Sequence, residues 1–118
     1  MTEIDERLST IVKACDDKKA FDIKVLNIQK ISSIGDYFVI ASGNSTSQVT
    51  AIADEIDEKM SKIGFDLVQK EGYSSARWIL LDYGDIIVHV FHREDRSFYN
   101  LERLWSDSEE VDISLLIS

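Results

Sequence analysis

Proline is absent from this chain of 118 residues, cysteine occurs once and histidine twice. Without proline, no helix or strand loses a backbone amide, and punctuation falls to the glycines at 35, 43, 64, 72 and 84. The lone Cys15 excludes an internal disulfide, and one cysteine with two histidines is a poor basis for a structural zinc site. Long apolar runs are also missing. The longest unbroken aliphatic or aromatic stretches, Tyr37 to Ala41 and Trp78 to Leu81, fall far short of the roughly 18 to 20 residues that span a bilayer. Met1 is followed by Thr-Glu-Ile-Asp rather than by a basic and then apolar signal. The expectation is a cytoplasmic protein in a reducing compartment, without membrane contact. Positive charge is scarce as well: 13 Lys and Arg stand against 22 Asp and Glu, a formal net charge of −9. Lys13, Lys18, Lys19, Lys24 and Lys30 are spread through the N-terminal third rather than clustered. A surface that grips phosphates needs clustered cations, so little direct nucleic-acid contact is expected and a basic protein partner is the natural one.

What the chain does have is apolar pattern: 44% of its residues are hydrophobic, enough for one core. A single domain over residues 1–105 is expected, followed by a tail over 106–118 that is acidic and then apolar. Thr2 with Asp5 resembles a capping box, and Ile4, Leu8, Ile11, Val12 and Cys15 continue at helical spacing to about Asp17. Cys15 on that stripe reads as a small buried hydrophobe ahead of a reactive thiol. Asp22 to Ile28 and Asp36 to Ser42 read as a strand pair. Ser45-Thr46-Ser47-Gln48 is a second capping box, and Val49, Ile52, Ala53, Ile56, Met60 and Ile63 share one helical face, with Gly64 at the position after the end. Phe65 to Val68 offers a short strand and Glu71 to Ser75 a polar loop.

From Arg77 to Phe91, two apolar runs flank Asp82-Tyr83-Gly84-Asp85, which suggests a hairpin turn centred on Tyr83-Gly84. That register sets Asp82 opposite Asp85, Leu80 opposite Ile87 and Trp78 opposite His89, all on one face of the sheet. The other face, with Ile79, Leu81, Ile86, Val88 and Val90, is assigned to the helices. The first face, expected to stand in water, is then a candidate contact surface. A last helix with Phe98, Leu101, Leu104 and Trp105 is expected, then a polar break over 106–110. Val111 to Ile117 is left either as an edge strand or as a loose end.

Three chemistries compete with bland readings of the same residues. A strand, Gly43-Asn44-Ser45 and a helix resemble the opening of a nucleotidyltransferase site, where a helix N-terminus cradles phosphate and paired carboxylates hold two metal ions. Asp54, Glu55, Asp57 and Glu58 fall within the helix, where they read as solvated charges, and Asp82 with Asp85 mark the ends of a turn. A small metal-dependent nucleotidyltransferase using Ser45 and Asp82 or Asp85 is the alternative function; a capping role for Ser45 is the bland one. A serine-hydrolase elbow lacks its second glycine, since position 47 is Ser. His89 and His92, three apart on a strand, would aim at opposite faces and make a poor metal pair.

Asp36 to Ser45, Gln48, Ala51 to Glu55, Trp78 to Asp85 with Val88-His89-Val90, and Phe98 to Glu102 with Leu104-Trp105 together resemble the ribosomal silencing factor family, also called Iojap-like. The resemblance runs from about residue 4 to 105, and it departs at Asn27, where the family usually has Asp. It implies an α/β (α+β) fold with a nucleotidyltransferase-like mixed sheet packed with helices, lacking the catalytic carboxylate pair. It also implies no enzymatic activity, no cofactor and no metal. Family members bind ribosomal protein fourteen (uL14 type) of the large subunit, block joining of the small subunit when nutrients are scarce, and are often homodimers when free. On this chain the implied contact residues are Trp78, Leu80, Asp82, Tyr83, Asp85, Ile87 and His89, with Tyr99 and Glu102 of the last helix as a second surface. Replacing Trp78 by Ala is expected to abolish binding with little loss of fold.

Overall fold

Helical spacing and β-branched runs translate into two layers. The computed structural model describes residues 6–29, 36–94, 109–111 and 113. Helix α1 (Glu6–Asp17) buries Leu8, Ile11, Val12 and Cys15 of the expected stripe, and Ala14 besides; Ile4 and the Thr2–Asp5 capping box lie outside the described residues. Strand β1 (Phe21–Asn27) follows and pairs antiparallel with β2 (Tyr37–Gly43). Helix α2 (Thr46–Lys62) buries Val49, Ile52, Ala53, Ile56 and Met60.

Both ends of α2 are closed by local chemistry. The Ser45 hydroxyl accepts from the Gln48 amide at 3.1 Å, and the Gln48 side chain reaches back to accept from the Asn44 amide at 2.6 Å. At the other end, Gly64 takes φ +91°. Its amide donates to the Ser61 carbonyl and that of Phe65 to the Met60 carbonyl, the double return of a Schellman motif. The same Gln48 side chain donates to the carbonyls of Lys18 and Lys19 at 3.1 and 3.0 Å, so it ties the end of α1 to the start of α2.

Three further strands follow: β3 (Gln69–Glu71), β4 (Trp78–Asp82) and β5 (Ile86–His92). The short strand therefore lies after Phe65 to Val68, not within it. Val68 contributes one backbone bond, from its amide to the Asp82 carbonyl at 2.8 Å. β6 (Glu109–Val111) pairs antiparallel with β1, Val25 opposite Val111. Of the stretch expected as an edge strand or a loose end only Val111 lies in this strand, Glu109 and Glu110 come from the expected polar break, and 112 and 114–117 lie outside the described residues; Lys24 meets the Glu110 carboxylate at 3.4 Å across the pair. The last helix expected from the sequence, with Phe98 to Trp105, lies outside the described residues.

The six strands run β3-β4-β5-β2-β1-β6. The β2–β5 pairing is parallel and the other four are antiparallel. This mixed sheet packed with helices is the fold class expected from the sequence. One face packs with α1 and α2 around Val25, Val39, Ala41, Ile79, Leu81, Ile86, Val88 and Val90. A second cluster, Leu26, Ile28, Phe38, Ile40, Ile87 and Phe91, contains no residue of either helix. No helix among the described residues is long and apolar enough to cross a membrane.

Candidate functional site at the β4–β5 hairpin

Where the chain reverses decides which residues meet. The Tyr83 amide donates to the Ile86 carbonyl at 2.9 Å, so the two central residues of the turn are Gly84 and Asp85, with Gly84 at φ +89°. The Gly84 amide also donates to the Asp82 carboxylate at 2.8 Å, which pulls Asp82 into the turn. The expected centre at Tyr83-Gly84 is displaced by one residue, and the register therefore moves by two. Trp78 faces Phe91, Leu80 faces His89 and Asp82 faces Ile87. Because side chains alternate with period two, a shift of two leaves each one on the expected face.

The face itself departs from expectation. It does not stand in water: Ile87, His89 and Phe91 are buried, and Trp78 and Leu80 are half-buried against the second cluster. The parallel β2–β5 pairing sets Phe38 beside Ile87 and Ile40 beside His89, so the apolar surface continues across the sheet instead of ending at the hairpin. Trp78 lies 5.3 Å from Phe91, ring centre to ring centre, nearly parallel. Truncating Trp78 would remove core packing as well as any contact surface, contrary to the expectation that the fold would be little affected.

His89 is the chemical centre of this cluster. Its Nδ1 accepts from the Trp78 indole at 3.0 Å, which leaves the neutral ring's proton on Nε2. The Nε2 atom is buried and has no hydrogen-bond partner among the described residues. The Phe38 ring approaches edge-on at 4.9 Å. With only 5% of the residue exposed, burial lowers its pKa from 6.5 to about 4, so it stays neutral at physiological pH. His92 accepts instead from the Glu94 amide at 3.2 Å, a local bond at the end of β5.

At the turn, Asp82 is half-buried and Asp85 is open, its side chain 63% exposed and 3.5 Å from the Arg7 guanidinium. The Asp85 carbonyl accepts from the amides of Asp36 and Tyr37, which fixes the turn to the start of β2. Tyr83 points to the helix side and is buried in the first cluster. Its hydroxyl has no hydrogen-bond partner among the described residues, and burial, with Asp57 and Asp66 adding to it, raises its pKa. Tyr99 and Glu102 lie outside the described residues.

The elements of the alternative chemistry are engaged elsewhere. Ser45 caps α2. Asp54 accepts from the Tyr73 hydroxyl at 2.6 Å, while Glu55 and Glu58 pair with Lys59 and Lys62 one turn on. Among the described residues, no group of three or more His, Cys, Asp or Glu is arranged to hold a metal ion. Cys15 is buried in the helix layer, and burial pushes its thiol up to about 12.

Residues 1–117 match the family described as "Ribosomal silencing factor during starvation". A Halalkalibacterium halodurans protein described as "Ribosomal silencing factor RsfS" is 47% identical over 113 residues, covering 96% of this chain and 97% of that one. The chain belongs to the ribosomal silencing factor family. A crystal structure of a Chromobacterium violaceum protein matches with a TM-score of 0.84 at 36% identity, covering 89% of this chain and 88% of that one. A more distant mouse relative, "Mitochondrial assembly of ribosomal large subunit protein 1", is 31% identical over 102 residues; the match spans 84% of this chain but 45% of that one.

Two features of the site left little trace in the sequence. The parallel neighbour of β5 carries no local signature, since parallel strands are joined by long connections. Phe65 and Val68 are exposed beside the turn, although the sequence placed them in a strand; Gly64 marked the helix end before them but not where they point.

Proposed function

We propose that this chain represses translation by binding protein fourteen (uL14 type) of the large ribosomal subunit and blocking the small subunit sterically, damping translation when nutrients are limited. The observation that supports this reading most is family membership over nearly the whole chain, with 47% identity to a ribosomal silencing factor. Charge agrees with it: ribosomal proteins are basic, and this chain carries −9 with Asp82 and Asp85 at an accessible turn. In this reading the protein is cytoplasmic, is not an enzyme, makes little direct contact with RNA and is a homodimer when free.

Burial supports a division of the contact set by role. Asp82 and Asp85 with the open edges of Trp78 and Leu80 make the contact, while Ile87, His89 and Tyr83 hold those residues in place. Tyr99 and Glu102 form the second surface. Co-sedimentation of the purified protein with large subunits, small subunits and coupled ribosomes tests the reading. Binding to large subunits alone, with fewer coupled particles once small subunits are added, is expected. Absence of binding to any particle would overturn the proposal.

A further inference from the structure

We infer that Phe65 and Val68, with the carboxylates of Asp66, Asp82 and Asp85, form a docking surface for an arginine- or lysine-bearing protein. This inference rests on the ribosome-binding reading and gives it a surface that the hairpin strands alone do not supply. Among the described residues, large apolar side chains exposed by more than a third are Phe65 at 38%, Val68 at 72% and Tyr73 at 37%. Tyr73 lies in the β3–β4 connection, at the other end of β4 from the β4–β5 turn. Its hydroxyl donates to Asp54, and Lys70 lies 4.2 Å above its ring. Phe65 and Val68 are three residues apart, and both are tied to the β4–β5 turn. The Val68 amide is bonded to the Asp82 carbonyl, and Arg7 stands 5.4 Å over the Phe65 ring while its guanidinium faces Asp85.

Two exposed apolar side chains within a border of carboxylates have the composition of an interface centre with a polar rim. The chemistry of the rim selects the occupant. Phosphates of RNA would meet three carboxylates and be repelled. A second copy of this chain would bring the same acidic surface against itself, a like-charge contact that costs affinity. A cationic side chain finds what Arg7 already finds there, an aromatic face beside a carboxylate. The partner is therefore a basic protein surface that also presents an apolar side chain to Val68.

Val68→Ser is the clean test, because a side chain this exposed contributes little to the fold; its melting curve is recorded alongside wild type. Large subunits purified from the source organism are the probe, in sedimentation assays at low and high potassium chloride. Val68→Ser is expected to weaken binding about fivefold to tenfold, the range of an interface residue whose truncation is felt. The combined Asp66→Asn and Asp85→Asn variant is expected to bind more weakly at low salt and to lose most of the salt dependence. If wild type sediments with large subunits and Val68→Ser does so equally well, the surface assignment is wrong while the ribosome-binding reading stands. Tighter binding by the Asn variant would mean that phosphate is the occupant, and a Val68→Ser change in self-association alone would mean a second copy; either overturns the inference. If wild type fails to bind, the reading and the inference fall together.

Discussion

His89 carries a proton question that its surroundings answer in advance. The Trp78 indole donates to its Nδ1, the atom that a second proton would have to take, and among the described residues no acceptor meets the proton on Nε2, so an imidazolium would lose that bond and stand unpaired in a site of aromatic rings. Its pKa is lowered to about 4 by burial, whereas an unfolded chain would titrate it near 6.5. The unfolded state therefore takes up a proton that the folded state refuses, and stability is full above about pH 6.5 and falls as pH drops towards about 4. Between about pH 7.5 and about pH 5.5 the loss from this residue is roughly 1 kcal/mol. Urea unfolding at the two pH values measures it. The His89→Gln variant, which keeps every carboxylate but cannot take the proton, is expected to lose distinctly less. Equal losses in the two proteins would mean that His89 is protonated in the fold.

The turn into α2 shows how closely an element can be read from its sequence, and the hairpin shows where such reading ends. Ser45 to Gln48 spelled a capping box, and the hydroxyl-to-amide bond is there; the side chain of Gln48 serves Asn44 and the α1 turn besides, which spacing along one segment cannot reveal. For the hairpin, Asp82 to Asp85 marked a turn, but the one-residue choice of its centre depends on the Asp82 bond to the Gly84 amide. Face survived that error because of the two-residue period; exposure did not, because Phe38 and Ile40 arrive on the same face through a parallel pairing invisible locally. If Ser45 is a cap, its chemistry is replaceable. Ser45→Ala is expected to cost about 1 kcal/mol in urea unfolding, and Ser45→Asp, another good cap, to remain within about 0.5 kcal/mol of wild type. Equal losses for both variants would show that the hydroxyl does something other than cap.

At the scale of the whole molecule, the sheet separates two apolar clusters, one packed with α1 and α2 and one lined by Trp78, Phe91 and Phe38. The nucleotidyltransferase-like architecture that the family resemblance implies invites the question whether this chain still binds nucleotide. Ligand that binds only the folded state must stabilise it, by an amount that grows with concentration over affinity. The geometry argues against a shift. Ser45 caps, Asp54 holds Tyr73, Glu55 and Glu58 sit in helical ion pairs, Asp82 receives Gly84, and Asp85 faces Arg7. A metal–nucleotide complex would have to break several of these contacts before making its own. Melting curves of the full chain with and without millimolar magnesium and ATP are therefore expected to coincide. A reproducible rise in Tm of about 3 °C or more, the scale of a 1 kcal/mol stabilisation in a domain of this size, would establish a working nucleotide site and bring the enzyme reading forward.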